Sequence, residues 1–343
     1  MSKITSLVRP NIAALESYST ARDEYTGSIG IFLDANESPF DNGYNRYPDP
    51  HQKELKSLIG GIKGIPCANL FLGNGSDEAI DLLFRVFCEP GRDNAVGIVP
   101  SYGMYPVAAA MNDIEYRPVM LGEDFSLDTG RLLAAADGNT KLVFLCSPNN
   151  PSGNAFPREQ LLDICLLFRG VVVVDEAYVD FSSLGSLAQD ALGLENLVVL
   201  QTLSKARAMA GLRIGMAIAS EEIVGLMSGI KYPYNISLPA MQTAAQLLRR
   251  DFSAEVTAIV QERKRMSAML ETYPFVQKVY PSEANFLLVK VTDADRLYSF
   301  LLERGIIVRN RSRLPGCSGC LRITIGLGEE NDAVLAAFND YVK

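Results

Sequence analysis

Val198-Val-Leu-Gln-Thr202-Leu-Ser204-Lys205-Ala-Arg-Ala-Met-Ala-Gly211-Leu-Arg213-Ile-Gly215 decides how this chain is read. Its opening run, Val198-Val199-Leu200, has the β-branched apolar composition of a buried strand. The run opens into a turn of small hydroxylated residues that carries one lysine, Lys205, then a glycine and an arginine. Desolvation just past a buried strand lowers a lysine pKa, and an uncharged amine can form a Schiff base. A bare Ser-Lys pair is equally the composition of a polar surface loop. What surrounds it decides.

Outward from this stretch, residues from about 52 to 245 alternate helical and strand-like pieces, the pattern of βα units and a mostly parallel sheet. Strands are predicted at Leu70–Leu72, Val96–Val99, Leu142–Leu145 and Val171–Val174, with helices over Glu78–Phe87 and Leu161–Phe168. Before this region, Ile31 to Asn36 reads as a strand running into the turn at Pro39. Tyr44 to Pro50 reads as an extended loop, because each proline biases its predecessor away from helix. After it, Met241 to Arg265 reads as one long helix leaving the larger unit. The remainder mixes strands (Asn285–Val291, Leu321–Ile325) and helices (Asp295–Glu303, Asp332–Tyr341), an α+β unit.

Four stretches at strand ends carry chemistry. Gly73-Asn-Gly-Ser76-Asp77-Glu78 stands between a strand and a helix, where free N–H groups form an anion site or a simple Asp-capped helix start. The third glycine of a dinucleotide fingerprint would fall at Glu78, which disfavours NAD. Pro100-Ser-Tyr102-Gly-Met-Tyr105 puts an aromatic at a strand's C-terminal end, suited to packing or to stacking on a flat ring. Ser147-Pro-Asn-Asn150-Pro-Ser-Gly153 is a rigid turn that can aim an Asn side chain at a ligand oxygen. Asp175-Glu-Ala-Tyr178 follows four valines directly, and a carboxylate there needs a cation. A protonated pyridine nitrogen fits, whereas a metal-binding aspartate of the nucleotide-hydrolase kind lacks its glycine-lysine loop.

Composition sets the outer bounds. With 343 residues, 48% apolar and 21% charged, the chain suits one large domain plus a smaller one. A formal net charge of −8 argues against nucleic acid or anionic membrane as a partner. The six cysteines are scattered like reduced thiols, and Cys317-Ser-Gly-Cys320 with the lone His51 makes no zinc site. No apolar run approaches the roughly 20 residues of a membrane span. The opening residues carry no secretory signal pattern, so a cytoplasmic protein is expected.

A phosphate cradle, a ring stacker, a ring-oxygen donor, a pyridinium carboxylate and a Schiff-base lysine are together the demands of pyridoxal 5′-phosphate. On those stretches, with Asp34-Ala-Asn-Glu-Ser-Pro39, Asn45-Arg-Tyr-Pro-Asp49 and Gly319-Cys-Leu-Arg-Ile-Thr324, the chain resembles the fold-type I pyridoxal-phosphate-dependent aminotransferases. Within them it is most similar to the members acting on histidinol phosphate. Ser152 stands where many of these carry threonine.

The resemblance implies an α/β fold, a large domain with a mostly parallel seven-stranded sheet over 42–245. A smaller α+β domain would be built from both termini, 1–41 and 246–343. It implies Lys205 as Schiff-base and proton-transfer residue, Asp175 on the pyridine nitrogen, and Asn150 and Tyr178 on the ring oxygen. Tyr102 would stack on the ring. The cofactor phosphate would meet Ser76, Asp77, Thr202, Ser204 and Arg213, with Tyr47 reaching over from a second subunit of a homodimer with shared active sites. Small anionic substrates, glutamate and imidazole acetol phosphate, would be held by Tyr18, Asn150, Arg309 and Arg322, Arg322 on a carboxylate and Arg309 on the phosphate. Aromatic-amino-acid aminotransferases and threonine-phosphate decarboxylases share the cofactor residues and differ only in these substrate contacts. A non-catalytic sensor of the same fold is the rival from another class.

Overall fold

The four valines at 171–174 lie at the centre of a seven-stranded sheet, each without solvent exposure. A computed structural model describes residues 4–16, 18, 20 and 30–342. In chain order the strands are β1 (Leu70–Asn74), β2 (Asn94–Val99), β3 (Glu115–Met120), β4 (Thr140–Cys146), β5 (Val171–Asp175), β6 (Leu197–Thr202), β7 (Ile214–Ile218), β8 (Val276–Val279), β9 (Phe286–Val291), β10 (Arg309–Asn310) and β11 (Cys320–Thr324). The helices are α1 (Pro10–Ala13), α2 (Lys53–Lys63), α3 (Ser76–Phe87), α4 (Met104–Met111), α5 (Thr129–Ala134), α6 (Arg158–Leu167), α7 (Glu221–Ile230), α8 (Leu238–Leu247), α9 (Ser253–Leu270), α10 (Ala294–Glu303) and α11 (Gly328–Val342).

The large sheet runs β1-β7-β6-β5-β4-β2-β3. Its pairs are parallel except those of β7, which is antiparallel to both β6 and β1. Alternate residues of β4, β5 and β6 enter opposite cores. Val143, Leu145, Val172, Val174, Leu197 and Val199 join one apolar cluster. Leu142, Phe144, Val171, Val173, Val198 and Leu200 join the other, with the inner faces of α3, α4 and α7. Both faces are covered, so these strands read as unbroken apolar runs. The smaller antiparallel sheet, β10-β11-β9-β8, packs one face on α9, α10 and α11.

Three expectations are corrected. Ile31 to Asn36 forms no strand, and Ile31 and Leu33 are 91% and 87% exposed. A strand needs a paired neighbour for its ladder. Here side chains hold the segment, with Arg46 donating to Glu37 Oε2 at 2.7 Å and Asn45 to the Ser38 carbonyl at 2.9 Å. Met241 to Arg265 is two helices, α8 and α9. Phe252 is buried, and Asp251 accepts from the Ser253 N–H at 3.0 Å, starting a new helix where the periodicity looked continuous. Residues 4–9, expected in the smaller domain, pack on the large one: Ile4 and Val8 enter the cluster of α3 and α7, and the Arg9 N–H donates to the Val86 carbonyl.

The β1–β7 pairing sets Gly73 opposite Gly215. A Cβ on Gly215 would lie 2.1 Å from the Ser76 nitrogen, a contact backbone cannot relieve without moving. Gly215→Ala is expected to cost about 1–3 kcal/mol, read as a lowered thermal midpoint, and to displace the first turn of α3.

Candidate active site

β1, β4, β5 and β6 end at one edge of the large sheet, where open α/β sheets bind ligands. A cavity there is lined by Ser76 and Asp77 from α3, Tyr102 after β2 and Asn150 after β4. Asp175 and Tyr178 come from the end of β5, and Thr202, Ser204, Lys205 and Arg213 from the turn between β6 and β7. Residues spread over nearly 140 positions thus share one chamber.

Asp175 is 3% exposed, and burial raises its pKa. Two hydrogen bonds oppose that rise: the Tyr105 hydroxyl donates to Oδ2 at 2.7 Å and the Ala177 N–H to Oδ1 at 3.0 Å. No ion pair reaches it among the described residues. Lys205 lines the same cavity. Solvent reaches its side chain, yet the protein crowding it lowers its pKa, and the Arg322 charge lowers it further against the pull of Asp175. Its Nζ lies 5.5 Å from the centre of the Tyr178 ring.

Tyr105 is the residue that sequence reasoning missed. It is fully buried and stacks on Phe144. It belongs to the same stretch as Tyr102, and only the start of α4 at Met104 turns its hydroxyl toward Asp175. A second tyrosine three residues on was the available signal.

The start of α3 lines the same cavity, with Gly75, Thr202, Ser204 and Arg213. Gly75 holds φ +76° before α3, and no side chain caps the helix, so its first N–H groups stay available. Any Cβ at Gly75 would fall 2.6 Å from Arg213 Nη2. Arg213, itself left-handed at φ 54°, donates to Asp77 Oδ2 at 3.3 Å, and the Tyr102 hydroxyl donates to Asp77 Oδ1 at 3.0 Å. The Ser204 N–H donates to Thr202 Oγ1 at 3.1 Å, gathering two hydroxyls beside the helix end. A buried carboxylate lacking a cation, a lysine of lowered pKa and a cradle that a Cβ would fill together fit pyridoxal phosphate.

Arg322 on β11 donates from Nη1 to Asn150 Oδ1 at 2.5 Å, joining the small sheet to the cavity wall. Arg309 faces Arg322 across the β10–β11 register and is exposed. The structure does not bring two expected residues to the Lys205 cavity of their own chain. Tyr18 is 76% exposed and lies by Arg9, Arg85 and Tyr232. Tyr47 stacks on Tyr234 with ring centres 4.4 Å apart, in a separate cleft with Glu37 and Tyr44.

Removing a hydrogen bond to a charged group costs about 1.5–3 kcal/mol, so Tyr105→Phe is expected to weaken pyridoxal phosphate retention roughly 10- to 100-fold, measured by equilibrium dialysis. Because the Lys205 pKa is lowered, the free amine appears at lower pH than for an ordinary lysine. Cofactor uptake by the apoprotein should therefore rise with a midpoint below the ordinary lysine value. Arg322→Gln removes a positive neighbour and should shift that midpoint upward.

A model of the family described as aminotransferase class I and II matches residues 34–338. The histidinol-phosphate aminotransferase of Parabacteroides distasonis is 52% identical over 342 residues, covering 99% of both chains. The histidinol-phosphate aminotransferase structure from Clostridium acetobutylicum matches with a TM-score of 0.79 at 25% identity, over 86% of this chain and 90% of that one. The Sinorhizobium meliloti enzyme, solved in complex with pyridoxal-5′-phosphate, matches at 0.78 and 24% identity, over 87% of this chain and 83% of that one, a likeness of fold. With a family model spanning most of its length and a full-length relative sharing half its residues, this chain belongs to the class I and II aminotransferases.

Proposed function

We propose that this chain is a histidinol-phosphate aminotransferase. It moves an amino group between glutamate and imidazole acetol phosphate, giving 2-oxoglutarate and histidinol phosphate in histidine biosynthesis. One observation carries the reading: Lys205, with its lowered pKa, and the buried, cation-free Asp175 line one cavity, which Arg322 reaches through Asn150. The cofactor is pyridoxal 5′-phosphate, which supplies the electron sink for charge developing at the substrate Cα.

Lys205 would hold the cofactor covalently and, as a free amine, would move the proton at the substrate Cα. Asp175 would pair with the ring nitrogen, oriented by Tyr105. Asn150 and Tyr178 would bond the ring oxygen, and Tyr102 would cover the ring face. The Ser76 and Asp77 amides, Thr202, Ser204 and Arg213 would take the phosphate. Arg322 would offer a planar fork to a substrate carboxylate and Arg309 would take the substrate phosphate. Tyr18, which lies away from the Lys205 cavity of its own chain, would have to close over that phosphate. Residues 42–245 form the cofactor domain, and 246–343 the smaller one that brings Arg309 and Arg322 over it.

In this reading the active unit is a homodimer, with Tyr47 serving the neighbouring copy's cavity. Ile31, Leu33, Phe40 and Tyr44 support it, being 91%, 87%, 82% and 65% exposed on one segment, an apolar surface suited to a second copy. The cytoplasm is its expected compartment; no described helix is long and apolar enough to cross a membrane.

Glutamate added to the purified holoenzyme should convert the bound cofactor to its amine form, seen by absorbance. Imidazole acetol phosphate should restore it with histidinol phosphate released. Lys205→Ala should slow both halves at least about 10²-fold. Conversion by glutamate without restoration would mean another acceptor, and carbon dioxide from threonine phosphate would mean a decarboxylase.

A further inference from the structure

β10 and β11 place Arg309 opposite Arg322 and Asn310 opposite Leu321. Directly opposed residues share a face, and successive residues alternate. Leu321 is buried in the core of α10 and α11, and Asn310 donates to Asp295 on α10 at 2.6 Å. Arg309 and Arg322 therefore lie on the other face, toward the large domain. The pairing continues one residue past β10, where the Arg311 N–H donates to the Cys320 carbonyl at 2.9 Å. That alternation returns Arg311 to the face of Arg309 and Arg322.

Three guanidinium groups so placed repel one another, and each stays charged at any physiological pH. The Arg322 and Arg309 charges bear on Arg311, which also lies within the field of Tyr178 in the cavity. No carboxylate pairs with any of the three among the described residues. Arg311 Nε, Ser312 Oγ and Arg322 Nε are buried and have no hydrogen-bond partner among the described residues. Buried donors of this kind are normally satisfied, and one left open calls for a partner that arrives.

We propose that Arg311, with the Ser312 hydroxyl beside it, is a third anion ligand at the cavity mouth and determines specificity for a phosphate monoester over a carboxylate. A phosphate monoester brings close to two negative charges and three acceptor oxygens, enough for three cations, where a carboxylate brings one charge and two oxygens. Arg311 acts with Arg309 and Arg322 on the bound anion and takes no part in proton transfer. The identity of the monoester as histidinol phosphate rests on the function proposed above.

Two measurements on the holoenzyme separate this inference from that reading. The first compares kcat/KM for histidinol phosphate with that for unphosphorylated histidinol. In Arg311→Gln the preference for the phosphorylated substrate should fall about 10- to 100-fold, chiefly through KM, and Arg311→Lys should restore part of it. Equal losses on both substrates would show a structural role and overturn the inference. The second is calorimetric binding of inorganic phosphate, which needs no substrate. Its Kd should weaken by a similar factor in Arg311→Gln. An unchanged Kd, or no binding by the unaltered protein, overturns the inference even if histidinol phosphate is turned over. A weakened Kd in a protein inert to histidinol phosphate supports Arg311 and overturns only the assigned substrate.

Discussion

The constraint on which the site depends is the burial of one carboxylate. β5 is buried on both faces between β4 and β6, and Asp175 is its last residue, so the charge emerges where water is scarce. Its folded pKa lies above the ordinary carboxylate value. Ionising it therefore costs folding stability, and that cost grows as pH rises from the ordinary value to the raised one. The Tyr105 and Ala177 hydrogen bonds offset part of the cost, and in the proposed reading a cation on the cofactor ring would offset more. Tyr102, the start of α3 and Arg213 line the same cavity, the wall against which the proposed reading would seat that ring.

Electrostatics of the opposite sign shapes the other side. Arg322 and Arg213 both lower the Lys205 pKa, and Asp175 and Asp77 raise it. The amine is thus tuned by groups from both sheets, although it sits on a turn of the large one. The neighbouring Glu176 shows how differently a carboxylate can be used one residue away. Burial pushes it up to about 6, and it accepts from Leu187 N–H at 2.7 Å and Gln201 Nε2 at 2.8 Å, pinning the loop that follows Tyr178.

The central sheet was legible because its strands are short, apolar and bounded by turn residues, and because chemistry accumulates at their C-terminal ends. Legibility fails where a segment's partner is not local. Ile31 to Asn36 has strand composition and yet takes no strand conformation. β3, with Arg117 and Pro118 and one buried residue, does not stand out as a strand, although β2 pairs with it along its length. The break between α8 and α9 depends on burial of Phe252, which periodicity cannot register. Tyr105 is harder to read because the start of a helix aims it, and the placement of Arg311 beside Arg322 is hidden because it depends on a register shared with a strand ten residues away.

β7 runs against its neighbours, which makes β6 and β7 the two arms of a hairpin. Its turn carries Lys205 near one end and Arg213 at the other, and the Gly75 N–H donates back to the Arg213 carbonyl at 2.8 Å. The spacing between Lys205 and the Arg213 end of the cavity is thus written into the length of a single covalent turn. In the proposed reading it would act as a ruler cut to one ligand length. A residue inserted between 205 and 213 would leave every functional group intact and yet mis-size the seat.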